Sequence, residues 1–249
     1  MIWLSVVAFL GTVLAAAGVL RWAQDHAANY GRAVPQRFHY GDVPRLGGLA
    51  MLVGIALSWG LGRLTTAMGD SSSLRMDSWV LWWLLALMPA VVGGMVEDVT
   101  QRLAPRFRLL LSLLTAVLAV SMLGLQLPRL DLPWLDALLA TAPWLGVGIA
   151  LLAVTGLPHA FNIIDGYNGL AGMVAIIVCL ALAHVALQVG DRGLAAVLVS
   201  TAAATGGFLV WNYPRGMMFA GDGGAYIWGG VIALASLSLV QRNPQVSPW

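Results

Sequence analysis

Lysine is absent from this 249-residue sequence, cysteine occurs once, and charge of either sign is scarce. Acidic and basic side chains make up 10% of the residues, against about 25% in ordinary soluble domains, while 59% are hydrophobic. That balance excludes a water-soluble globule. The single cysteine, Cys179, excludes an internal disulfide and any multi-thiolate metal or iron–sulfur site. It lies in an apolar stretch, where it is expected to pack as a small hydrophobe. A formal net charge of +2 is too slight to point to nucleic acid.

What is present instead is a series of long apolar runs. Crossing about 30 Å of hydrocarbon takes about 20 apolar residues of helix. Eight uncharged runs near that length occur, at 2–20, 46–62, 79–96, 109–127, 137–157, 170–190, 193–211 and 223–240. All charged residues fall between them or in the tails. In lipid the backbone must satisfy its own hydrogen bonds, so the runs are expected to be helices despite their glycines. Trp3, Trp22, Trp59, Trp79, Trp144 and Trp211 sit near run ends, where an amphipathic ring suits the interface. The first run resembles a signal peptide in its small residues Ala15 to Ala17, but no positive segment precedes it, and it reads as a retained helix. The expected fold is an all-α polytopic membrane protein, a single integral-membrane domain over 1–249.

Arginine sets the orientation. With the amino terminus outside, the odd-numbered loops hold Arg21, Arg32, Arg37, Arg45, Arg102, Arg106, Arg108 and Arg215, and the even loops and tail hold the other five. The excess places the odd loops in the cytoplasm. Four polar motifs lie in those same loops: PQRFHYGDVPRLGG (35–48), GMVEDVTQRLAPRFR (94–108), FNIIDGYNGLAG (161–172) and WNYPRGMMFAGDGG (211–224). They are expected to converge on one membrane face.

Each motif has two readings. Glu97 and Asp98 fall at an expected helix carboxyl end, where the macrodipole disfavours carboxylates by about 0.3–1 kcal/mol each. A divalent cation or Arg102 would hold them there, or they form a solvated helix end. Asn162, Asp165 and Asn168 recur every third residue beside glycines; they can present oxygens and amides to a nucleotide, or form a turn. Asp222, between two glycines at the start of the last run, is either a helix N-cap or a hard oxygen ligand for Mg²⁺. Arg37 and His39, with Arg45, Gly47 and Gly48, make a cationic loop suited to phosphate, or the ordinary positive flank of a span. Asn212 either contacts a substrate or satisfies the end of the seventh span. Phe219 either stacks on a base or anchors at the interface. His184, in mid-span, reads as a bundle-buried histidine, and His159 stays open between structure and function.

Together the four motifs resemble the polyprenyl-phosphate N-acetylhexosamine-1-phosphate transferase family, glycosyltransferase family 4. The likeness rests on PRLGG at 44–48, the acidic pair Glu97 and Asp98, NIIDGYNGLA at 162–171, and Asn212 with FAGDGG at 219–224. It implies transfer of a sugar 1-phosphate from a UDP-sugar to polyprenyl phosphate with release of UMP, at the cytoplasmic face of a bacterial inner membrane. It further implies Mg²⁺, with Mn²⁺ as an alternative, held by Asp222 and Asp98. Asp98 would deprotonate or position the lipid phosphate, with Glu97 beside it. Asn162, Asp165, Asn168 and Asn212 would line the nucleotide-sugar pocket, Phe219 would lie against uracil, and Arg106 and Arg108 would supply a basic stretch. N-acetylglucosamine is the first expected sugar, and a homodimer is among the expected partners.

The sequence also departs from the family pattern. Glu97 and Asn168 stand where aspartates are usual, and FAGD replaces FMGD. The chain ends after the eighth run, where family members continue through further helices and a His- and Arg-containing loop, so it is expected to be a shortened form. Two alternatives stay open: a membrane transporter, and a catalytically silent family member. A CDP-alcohol phosphotransferase is disfavoured, because no Arg or further Asp follows Asp165 and Gly166 in that pattern.

Overall fold

The computed structural model describes residues 1–27, 43–68 and 76–248. Among them all regular structure is helical: α1 (Ile2–Ala27), α2 (Gly47–Ala67), α3 (Trp79–Thr100), α4 (Pro105–Leu123), α5 (Pro133–Thr141), α6 (Pro143–Ile164), α7 (Leu170–Gln188), α8 (Arg192–Asn212) and α9 (Gly221–Arg242). All except α5 are long and apolar enough to cross a membrane, which gives the eight spans expected from the sequence. The protein is a polytopic, all-helical membrane protein.

One boundary is corrected. The sequence places the fifth span at 137–157, but the chain breaks at Ala142 (φ −133°, ψ 71°) and the span begins at Pro143. Proline has no N–H to extend the α5 ladder yet suits the first position of a new helix. The span therefore runs on to Ile164 and carries Asn162 in its last turn rather than in a loop. The 3rd, 4th, 7th and 8th spans likewise extend beyond their uncharged runs, so Glu97, Asp98, Arg106, Arg108, Asn212 and Asp222 are helical.

α9 is the centre of the bundle. Of its most apolar 18-residue stretch 94% is buried, against 22% for α1, α4 and α6. It packs chiefly on α6, α3 and α2. Small residues make that possible, because close backbone approach is what drives helix association where solvent is as apolar as the side chains. A methyl group on Gly229 would stand 2.3 Å from the Pro158 nitrogen of α6, and one on Gly48 of α2 would stand 2.3 Å from the Gly224 nitrogen. The outer helices turn Leu14, Leu57, Leu85, Leu114, Leu152 and Ile177 outward.

Two single-residue expectations are overturned. His184 is exposed on the outer face of α7, not buried in the bundle. Trp59 is fully buried and donates its indole N–H to Ser200 Oγ at 2.9 Å, so it is a bundle residue rather than an interface anchor. Trp3, Trp22 and Trp144 are exposed, and Cys179 is buried among apolar neighbours.

Candidate active site

The carboxyl ends of α3, α6 and α8 and the amino ends of α2, α4, α7 and α9 meet at one end of the bundle. The amino end of α9 is clasped there by the segment before α2. Phe219 N–H donates to Pro44 O, Gly47 N–H to Phe219 O and Gly48 N–H to Ala220 O, each at 2.9 Å. These bonds dock PRLGG directly on FAGDGG. Gly221 at φ +70° turns the chain into α9, and a side chain there would also collide with both Asp98 oxygens at 2.4 Å. On the opposite side, a methyl on Gly94 of α3 would meet the Gly223 nitrogen at 2.6 Å. The glycines of three motifs thus serve one contact.

That contact explains the acidic pair. Asp98 Oδ1 accepts the Asp222 N–H at 2.8 Å and Oδ2 accepts the Gly223 N–H at 2.9 Å. Asp98 therefore caps α9 from another helix, and the positive end of the α9 dipole offsets the unfavourable end of its own. Glu97 Oε2 accepts the Leu103 N–H at 2.7 Å, closing the turn after α3. Arg102 makes no ion pair with either acid among the described residues.

Capped in this way, α9 starts at Gly221, and Asp222 sits in its first turn, not at its N-cap. Its side chain is free to face the other helices. Arg108 Nη1 of α4 bonds to Asp222 Oδ2. Asn162 Nδ2 of α6 donates to Oδ1 at 2.7 Å, and Arg45 Nη2 lies 3.9 Å from the same oxygen. Asp98 and Asp222 are 2% and 3% exposed, so both charges are taken out of water. Half-buried Asp165, beyond the end of α6, joins this field. Burial pushes its carboxyl up to about 6, with Arg45 opposing the shift and Asp222 adding to it.

Asn212 is a buried latch: its Oδ1 accepts the Gly169 N–H at 2.6 Å and its Nδ2 donates to Met218 O at 2.8 Å. It ties α8 to the start of α7 and to the loop before α9. Asn168 Nδ2 donates to Pro214 O at 3.1 Å, while its Oδ1 is buried with no partner. Phe219 is half-buried beside the α9 amino end. Arg106 is exposed, with its guanidinium 5.1 Å from the Phe107 ring, and is not brought to the acidic centre. Arg37 and His39 lie outside the described residues.

Sequence reasoning passed over Ser112 and Tyr226, left His159 open and undervalued Arg45. Arg45 appeared only as part of a cationic loop, and its place beside Asp222 follows from the PRLGG docking. Ser112, Tyr226 and the undecided His159 lie one turn below the acidic centre. Ser112 and Tyr226 sit in apolar runs where no motif marks them, and His159 falls between the fifth run and the third motif.

Among the described residues no three His, Cys, Asp or Glu side chains gather as a ready-made metal cage. The donors nonetheless suit Mg²⁺, which is often held by one or two carboxylates plus substrate phosphates and water. A carboxylate offers about four lone-pair sites, and the hydrogen bonds described leave room on both Asp222 oxygens. Asp98, buried with both oxygens engaged by backbone N–H groups, is the less available of the two. A cavity of about 830 Å³ lined by Met1, Ile2, Trp3, Val6, Val7 and Arg192 lies at the opposite end of the bundle, away from these groups.

The eight-span bundle thus gathers two buried carboxylates and two arginines at one end. The chain belongs to glycosyl transferase family 4, whose family model matches residues 80–240. It is 28% identical over 202 residues to a probable undecaprenyl-phosphate N-acetylglucosaminyl 1-phosphate transferase of Bacillus subtilis, covering 81% of this chain and 53% of that protein. It is 30% identical over 219 residues to a phospho-N-acetylmuramoyl-pentapeptide-transferase of Moorella thermoacetica (82% and 63%). A protein of the same name from Synechococcus is 33% identical over 225 residues (86% and 61%). The chain thus spans between half and two thirds of the length of these relatives.

Proposed function

We propose that this protein transfers N-acetylhexosamine 1-phosphate from a UDP-sugar to a polyprenyl phosphate at the cytoplasmic face of a bacterial inner membrane. A phosphate oxygen of the lipid attacks the sugar-bearing phosphorus of the UDP-sugar. The bond from that phosphorus to the bridging diphosphate oxygen breaks, and UMP leaves with that oxygen. The products are a polyprenyl diphosphosugar and UMP. The observation that carries this reading is the buried Asp222, held by Arg108 and Asn162 with Arg45 beside it, in a family whose similar members are named for this chemistry.

Phosphoryl transfer asks a protein mainly to position the reactants and to offset the charge gathering on the equatorial oxygens. Arg108 and Arg45 bring positive charge to the acidic centre, and the amino end of α9 adds its dipole. Asn162 and Asn168 supply amides to a nucleotide sugar, with the unpartnered Asn168 Oδ1 an acceptor waiting for a donor. Asp222, with Asp98 behind it, would hold Mg²⁺, which when bound supplies charge neutralisation at the diphosphate. The name of the Bacillus relative makes N-acetylglucosamine the first sugar to test.

The test is radiolabelled transfer from UDP-N-acetylglucosamine to undecaprenyl phosphate in membranes containing this chain, with and without Mg²⁺, beside Asp222→Ala. The expected result is a lipid-linked product that needs Mg²⁺ and is lost in the variant. Correctly inserted protein that makes no product from any common UDP-N-acetylhexosamine overturns the proposal. Product formed equally by Asp222→Ala overturns the placing of the site.

A further inference from the structure

Two polar layers are stacked at the acidic end of the bundle, each built from one residue of α4, α6 and α9. The upper layer is Arg108, Asn162 and Asp222. One turn deeper lie Ser112, His159 and Tyr226: Ser112 and Tyr226 follow their upper partners by four residues, and His159 precedes Asn162 by three. Because α6 runs opposite to α4 and α9, all three spacings put the second residue beneath the first on the same helix face.

The lower layer is itself hydrogen-bonded. Ser112 Oγ donates to Arg108 O at 2.9 Å and lies 3.1 Å from His159 Nε2. Tyr226 OH lies 3.4 Å from His159 Nδ1, with the two rings edge to face at 5.2 Å. The single hydroxyl hydrogen of Ser112 is committed to the Arg108 carbonyl, so Nε2 carries the hydrogen it shares with Ser112. In the neutral ring Nδ1 then accepts from Tyr226. The chain of donors runs in one direction, from Tyr226 through His159 and Ser112 to the carbonyl of the residue whose guanidinium holds Asp222.

Helix packing gives this chain a task. α4 packs on α3 and α6, and α9 packs on α6, α3 and α2, but α4 and α9 do not form a packed pair. Across the space between them run the Arg108–Asp222 contact above and His159 below. Ser112 and Tyr226 are 0% and 1% exposed, and apolar side chains would fill their places without the cost of burying polar groups. A hydrogen-bonded network of two buried hydroxyls and a half-buried imidazole instead fixes one arrangement of the helices that carry it.

We propose that His159, through Ser112 and Tyr226, is a positioning residue that sets the register of α4 against α9 and so holds the Arg108 guanidinium on Asp222. Its consequence for turnover rests on the reading under Proposed function, whereas its consequence for the ion pair does not. Two measurements separate them. The first uses purified full-length protein in detergent without substrate: the coupling between Arg108 and Asp222 is read as non-additivity of Tm among Arg108→Met, Asp222→Asn and the double variant. The same cycle is then repeated in a His159→Phe background. The coupling is expected to fall to less than half there, and to be restored in part by His159→Gln, whose amide both donates and accepts. Unchanged coupling overturns the proposal. Should His159→Phe not fold, the cycle is run on Tyr226→Phe, which removes one hydroxyl, with the same criterion.

The second measurement is turnover. Loss of one buried hydrogen bond is worth up to about a factor of ten, so Tyr226→Phe is expected to lower kcat by that order with KM for the UDP-sugar within about twofold. In an Arg108→Lys background the same change is expected to have no further effect, because residues that act as a unit are non-additive. A full additional loss in that background overturns the proposal. If the native protein turns over no UDP-sugar, the functional reading fails while the Tm cycle still decides the role of His159.

Discussion

Asp98 and Asp222 differ in what they face: Asp98 faces backbone, and Asp222 faces side chains from α4, α6 and the segment before α2. The two substitutions therefore separate. Asp222→Asn keeps the shape but removes the charge that Arg108 and Arg45 surround, and it is expected to lower transfer on the order of a hundredfold or more, read by lipid-product formation. Asp98→Asn turns one of two acceptors into a donor pointed at a backbone N–H. It is expected to cost about 1–3 kcal/mol of stability, seen as a lower Tm in detergent without substrate. Asp165 gives a pH test. Its folded pKa of about 6 lies above the model-peptide value of 3.8, so ionisation costs stability above pH 6 and nothing below about pH 4. Asp165→Asn, neutral throughout, is expected to raise Tm relative to the native protein at pH 8, with the difference closing as pH falls from 6 to 4. Asp165 and Asp222 were legible in the sequence because they stand in motifs. The capping role of Asp98 was not, since its partners are N–H groups of residues 124 and 125 positions away.

At the scale of elements, α9 matters most, and its position depends on glycines of its neighbours. A methyl on Gly48 would lie 2.3 Å from the Gly224 nitrogen, while Gly60 of α2 and Gly156 of α6 have nothing within 4 Å of that point. Gly48→Ala is thus expected to displace the start of α9 and lower both Tm and transfer, whereas Gly60→Ala and Gly156→Ala leave both within error. Loss of function in all three would mean that helix flexibility, not close approach, is what these residues supply. The eight spans were legible as uncharged runs, since that property belongs to each segment alone. Their ends were not, because Pro143 breaks the fifth run and because charged residues at helix ends find partners on other helices.

At the scale of the whole molecule, the proposed orientation rests on arginine distribution, and a labelling experiment checks it. In a Cys179→Ala background, a single cysteine at Asp131 is expected to react with an impermeant maleimide from outside intact cells, and one at Arg106 only after permeabilisation. The reverse pattern overturns the cytoplasmic placing of the acidic site. The sequence by itself determined the membrane class, the number of spans and the motifs that gather at one end, because hydrophobic length and local composition are properties of contiguous residues. It also carried the family. Only the tertiary structure decided that Arg108 and not Arg106 reaches Asp222, that Asn212 is a latch, that His184 faces outward, and that Ser112, His159 and Tyr226 form a second layer. Those outcomes depend on which face of each helix meets its neighbour, and in a bundle that is apolar on every side no periodicity in the sequence records that choice.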